Sequence, residues 1–268
     1  MAELTSLEVE FEPGCARVTL ARPDSGNALT PRLLEELVAV CGELEAREDL
    51  RVVVLRGAGR GFSAGMDLSR MAGLFARGLP SEEQLLELAE LGRRAVDAVL
   101  GLSAVTVAEL RGFAVGGGFL LAAACDLRVV AEGTRFALPE VDLGVPLTWG
   151  GVPLLCRVLG PSLARDLVLT GRRVGPDALS GLGFAVACVP AASLEERCAS
   201  LVASLLAKPS GTPRSLKAQF QRQLDVRDDG IDDEQRFVRA VRSPTFFKRA
   251  MTYVRGRQEE AGEDGGSG

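Results

Sequence analysis

The sequence predicts a largely parallel α/β core followed by a helical C-terminal part. Three observations predict it. Apolar strand-like runs alternate with helical periodicities through the first two thirds of the chain, and helical patterns dominate the last third. Two strand-to-helix connections, 57–67 and 112–118, are rich in glycine. Apolar residues make up 47% of 268 residues while aromatics make up only 5%, which suits one large domain with close backbone packing.

Taken in order, Leu7–Glu12 and Cys15–Ala21 alternate apolar and polar residues around Pro13-Gly14 and read as a hairpin. Residues 22–27 form a loop. Thr30-Pro31 supplies an N-cap and a first-turn proline, and Leu33, Leu34, Leu37, Val38, Cys41 and Leu44 follow at helical spacing to about Arg47. Arg51–Arg56 is a buried strand with charged ends. The loop 57–67 leads into a short helix near Leu68–Phe75, Arg77–Pro80 breaks it, and Ser81-Glu82-Glu83 caps a long helix to about Leu100.

Ala104–Leu110 reads as a buried strand. The glycines of 112–118 then open a short buried helix rich in alanine and leucine. Glycines at a helix start leave N–H groups bare at the positive end of the helix dipole, where a negative atom can sit. Tight packing of helix on strand is the other explanation of such a cluster. Asp126–Ala131 is a strand, and Thr134–Pro139 is a short extended piece ending at Glu140. Helices follow over about Val152–Leu159, Pro161–Leu169 and Pro176–Gly181, then a strand at Phe184–Val189. The remainder reads as helices at Ser193–Ala207, Thr212–Leu224, Asp232–Arg242 and Pro244 to about Glu259, with a disordered acidic, glycine-rich tail at 261–268. The expected organisation is therefore a core over 1–190, a helical region over 191–260 and the tail.

Composition removes several functions. Net charge is −5 with no basic stripe, which argues against a nucleic-acid partner. No apolar run reaches membrane-span length and no signal-peptide pattern is visible, so no membrane partner and a cytoplasmic location are expected. Six cysteines lie far apart without a C-x-x-C and read as buried apolar residues. Histidine is absent, which excludes Ser-His-Asp and Cys-His machinery and argues against a metal site. Acid–base chemistry near neutral pH falls to a carboxylate, Lys, Cys or the single tyrosine, Tyr253. A dinucleotide fingerprint is incomplete, because Leu121 stands where the third glycine belongs, and no P-loop is present.

If the two strands that precede the glycine loops are neighbours, both loops reach the same rim of the sheet. One N–H from each can then meet on a single oxygen. Four stretches carry a resemblance at this point: Asn27-Ala28-Leu29; Gly61-Phe62-Ser63-Ala64-Gly65-Met66-Asp67-Leu68; Gly112 to Gly118 with Cys125-Asp126-Leu127-Arg128; and Phe136 to Gly144 around Pro139-Glu140. In order and spacing the chain resembles the crotonase (enoyl-CoA hydratase/isomerase) superfamily over roughly residues 5–260.

That resemblance implies a ββα spiral core that binds acyl-CoA and a helical C-terminal trimerisation region, with homotrimers or hexamers as the assembly. It implies an acyl-CoA thioester substrate and no separate cofactor, coenzyme A being part of the substrate. Carried over by position, the N–H groups of Met66 and Gly117 would hold the thioester oxygen, and Glu140 would be the base. Ala64, Gly65, Asp67 and Leu68 would lie along the coenzyme, with Ala28, Gly116, Leu120, Thr148 and Trp149 as further substrate contacts. Removing a proton beside a thioester needs such fixed donors, because a carboxylate alone is too weak a base; one lost donor costs about 2.7–4 kcal/mol.

Family hydratases use two glutamates. The second is present here as Glu140, and Leu120 occupies the place of the first. A lone carboxylate suits proton transfer between C2 and C4, the chemistry of a Δ3,Δ2-enoyl-CoA isomerase. Where many relatives have Pro-Gly-x-Gly-Gly, this chain has Pro146-Leu147-Thr148-Trp149-Gly150-Gly151. In an extended segment Asp142 would share Glu140's side and could hydrogen-bond or replace it; packing or solvation is its other and favoured role. Arg22, Lys248 and Arg249 are candidate phosphate contacts, and Phe246-Phe247 either closes a neighbouring subunit's pocket or belongs to the core. Two rivals stand beside the isomerase: a hydratase in which Glu140 works with water and Thr148 or Asp142, and a non-catalytic acyl-CoA binder.

Overall fold

The computed structural model describes residues 3–68, 81–224, 233–243, 246, 248, 249 and 252. The short helix expected beyond Leu68, the break at 77–80, most of the last expected helix, Phe247 and the tail lie outside the described residues.

The hairpin forms as read: β1 (Leu7–Glu12) and β2 (Cys15–Leu20) pair antiparallel. Helix α1 (Pro31–Glu45) starts on Thr30, whose hydroxyl accepts from the Leu33 N–H. Strand β3 (Val52–Gly57) follows. Helix α2 (Glu82–Gly101) opens with a full capping box between Ser81 and Gln84. Next come β4 (Val105–Leu110), β5 (Phe113–Val115), α3 (Gly117–Ala124), β6 (Leu127–Ala131), β7 (Arg135–Ala137) and α4 (Glu140–Leu143). Helices α5 (Gly151–Leu159), α6 (Pro161–Thr170) and α7 (Pro176–Ser180) precede β8 (Ala187–Val189). Helices α8 (Leu194–Leu206), α9 (Thr212–Leu224) and α10 (Asp233–Val241) complete the chain.

The main sheet has the order β1-β2-β3-β4-β6-β8, parallel from β2 onward. Both faces are covered, which is why β3 is a continuous apolar run. Val53 and Leu55 pack into the larger core with α1 and α3. Val52 and Val54 point the other way, under Leu194, Cys198 and Val202 of α8.

A second strip of short pairings runs beside this sheet. Leu29 bridges Met66, Ser63 bridges Ala114, β5 pairs β7, and Phe136 bridges Val174. Each turn of the chain thus gives one strand to the main sheet and one short stretch to the strip before entering a helix. The repeated unit is ββα, wound as a spiral. The strip differs from the expectation of a simple glycine turn after β4. Three-residue strands are too short to show a period, and cross-chain pairing alone makes them.

Two other readings change. Phe184–Val189 contributes only its last three residues as strand. The segment after Pro139 is a helical turn, not extended chain. Among the described residues, no helix is long and apolar enough to cross a membrane.

Candidate active site

Strands β3 and β4 are parallel neighbours, with Val52 opposite Val105, so the two glycine loops do leave the same sheet edge. Asn27 fastens the first loop. It is fully buried at φ +55, and its amide donates to the carbonyls of Ala58 and Gly61. Its own carbonyl accepts from the Ser63 hydroxyl. The sequence marked Asn27 only as part of a motif; its buried amide fixing two carbonyls is what the structure adds.

Met66 follows from bridge geometry. Leu29 donates to the Gly65 carbonyl and accepts from the Asp67 N–H. In a parallel bridge those bonds belong to the neighbours of Met66, so its own N–H faces away from Leu29. Gly117 is the first residue of α3, where a helix N–H has no partner within the helix. Among the described residues, neither amide donates to a protein acceptor. The two loops touch here: a Cβ on Gly65, at φ +80, would fall 2.6 Å from the Val115 carbonyl oxygen and 3.6 Å from the Gly117 nitrogen. Glycine is required at Gly65 on both counts.

Glu140 closes the group. It begins α4, and a Cβ on Gly116 would lie 2.6 Å from its Oε1. The residue as a whole is half-buried, yet its Oε2 is out of solvent and has no hydrogen-bond partner. Burial pushes the carboxyl up to about 7, opposed by a hydrogen bond from its own main chain.

These groups line one cleft that is partly open to solvent. Ala64, Gly65, Met66, Leu68, Gly116, Gly117, Leu120, Glu140, Thr148 and Trp149 all border it. Glu140 is the only ionisable side chain among the described lining residues. Leu88 and Ala89 of α2, Leu143, Val145 and Leu147, and Phe237 of α10 complete an apolar wall that the sequence did not single out. Their spacing reads as ordinary core, and only the fold shows which part of that core surrounds a cavity.

Ala28 and Asp67 lie outside the cleft lining; the Arg22 guanidinium joins them, donating to the Ala28 carbonyl at 2.5 Å and reaching Asp67 Oδ2 at 3.3 Å. Arg22 is therefore engaged at the rim. Asp142 does not share Glu140's side: α4 carries it toward Gly171, where a Cβ would meet its Oδ2 at 2.9 Å. Residues two apart share a side in a strand but not in a helical turn. Phe246 borders this chain's own cleft. Arg249 donates to the Asp142 carbonyl at 3.2 Å, and Lys248 is exposed.

A family model described as enoyl-CoA hydratase/isomerase matches residues 10–255. A putative enoyl-CoA hydratase/isomerase of Bacillus subtilis is 32% identical over 212 residues, 79% of each chain. Among solved structures, an enoyl-CoA hydratase from Mycobacterium avium subsp. paratuberculosis superposes with a TM-score of 0.84 at 25% identity, covering 94% of this chain and 100% of that one. A monofunctional enoyl-CoA isomerase from M. smegmatis gives 0.68 at 28% identity, covering 84% and 97%.

Proposed function

Because the chain belongs to the enoyl-CoA hydratase/isomerase family and is an enzyme of the crotonase type, we propose that it is an isomerase moving a double bond in an enoyl-CoA thioester from C3 to C2. Glu140 as carboxylate takes a proton from C2. The electron pair of that C–H bond shifts into the thioester, giving a dienolate whose oxygen accepts from the Met66 and Gly117 N–H groups. Glu140, now protonated, returns the proton at C4, and the carbonyl re-forms. No atom is gained or lost, and no separate cofactor enters. A carboxyl titrating near 7 is matched to both halves of this exchange.

The observation that carries this reading is that Glu140 is the one acid among the described residues of an apolar cleft. Leu120, 1% exposed, stands where family hydratases have their other glutamate. A second reading, hydration of a 2-enoyl-CoA, rests on Thr148, whose hydroxyl has no protein partner among the described residues and borders the same cleft. We also propose that the chain assembles as a homotrimer or hexamer, as the family resemblance implies, and that it works in the cytoplasm, the expectation drawn from its sequence.

Incubation with a 3-enoyl-CoA and separately with a 2-enoyl-CoA tests the choice. The expected result is a 3-to-2 shift with little hydration, and a loss of about 10²–10⁴-fold in Glu140→Gln. Fast hydration without any shift would replace the isomerase by the hydratase. Turnover unchanged in the Gln variant would remove Glu140 from the chemistry.

A further inference from the structure

Trp149 holds a conformation that its own residue type disfavours. Its φ is +60, in the left-handed region that bulky side chains rarely occupy, and the residue is 6% exposed. Backbone strain of this kind concentrates at ligand sites. The indole fills a slot between two helices that glycines have vacated. On α2, a Cβ at Gly92 would come within 1.8 Å of the indole Cε2 and 2.1 Å of Nε1. On α3, a Cβ at Gly117 would come within 2.2 Å of Cζ3. Gly117 is the residue whose N–H is assigned to the thioester oxygen, so the indole packs directly against the carbonyl end of the site, and it borders the cleft. With a small side chain at 149, the space between Gly92 and Gly117 would be continuous with the cleft.

We infer that Trp149 is the specificity-determining wall of the acyl pocket, stopping the chain a few carbons beyond the thioester, so that the substrates are short-chain acyl-CoAs. The inference rests on the acyl-CoA reading above. A large aromatic ring is suited to this role, since it buries about 150–250 Å² as one rigid body. Its removal opens a passage between α2 and α3 for further methylenes, each favouring binding about fourfold when buried, which is the equivalent of about 0.8 kcal/mol.

Titration calorimetry of the full chain with saturated butyryl-, octanoyl- and dodecanoyl-CoA tests this independently of turnover. The wild type is expected to bind butyryl-CoA at least as tightly as dodecanoyl-CoA. Trp149→Ala is expected to shift that ratio at least tenfold toward dodecanoyl-CoA. If the alanine variant does not fold, Trp149→Phe is expected to move the preference in the same direction toward octanoyl-CoA. A length profile unchanged in the folded variant overturns the inference, as does a wild type whose affinity already rises steadily to dodecanoyl-CoA. Failure of the wild type to bind any of the three would instead overturn the acyl-CoA reading itself.

Discussion

Glu140 carries a charge that its surroundings oppose. With Oε2 buried and unpartnered and the carboxyl pushed up to about 7, the base form is scarce in acid and dominant in mild alkali. The proposed isomerase should therefore show kcat/KM rising with pH through about 7 to a plateau. Stability runs the other way. The folded carboxyl binds its proton more tightly than the unfolded one, whose ordinary value is 4.5. Between those values the native state holds more protons, so its stability falls as pH rises. Glu140→Gln removes that penalty, which is at most about 3 kcal/mol. Thermal melts should show the variant gaining on the wild type between pH 5 and pH 8 and not below pH 4. The sequence singled out this acid through Pro139-Glu140, and the structure places it at the cleft. Its burial was not legible, because the walls that desolvate it come from α2, α4, the 145–149 segment and Phe237, which no local pattern connects. The segment carrying Asp142 is helical rather than extended for a related reason: one helical turn after a proline leaves no period to detect.

At the scale of elements, α2 shows how a helix can carry a defect that belongs to its neighbour. Its start was legible from Ser81, and the structure buries its face along Leu85, Ala89, Val96 and Val99. Gly92 lies in its interior, where glycine costs a helix about 0.5–1 kcal/mol relative to alanine. The indole of Trp149 reverses that sign. Gly92→Ala should lower stability by about 1–3 kcal/mol through overpacking. Gly42→Ala in α1, where a Cβ meets nothing within 4 Å, should raise it by up to about 1 kcal/mol. Urea denaturation of the two variants reads both signs. Long elements with caps were legible throughout. Among the short ones, β7 falls within the extended piece read at Thr134–Pro139, whereas β5 and α4 were not legible, because three or four residues show no period of their own.

Across the whole molecule, α9 is tied to the sheet by a contact that no motif announces. Lys217, 6% exposed, lies 2.7 Å from Asp126 Oδ2 and donates to the Ala104 carbonyl at 3.0 Å. The same Asp126 oxygen accepts from the main chain and hydroxyl of Thr106. Asp126 keeps 30% of its side-chain exposure, so the pair is worth less than the 3–5 kcal/mol lost when a fully buried one is broken. Lys217→Met should lower stability by about 2 kcal/mol, read as a shift in the urea midpoint. It should leave acyl-CoA affinity unchanged, since neither partner borders the cleft.

The strip that joins Leu29, Met66, β5, β7 and Val174 has a consequence for how catalytic competence is acquired. Within the strip each coil pairs with the next, and Met66 and Gly117 belong to successive coils. Neither amide reaches the cleft until distant stretches of polypeptide have met, so no excised piece of the chain would inherit half of the cavity. The cleft is a property of the completed winding.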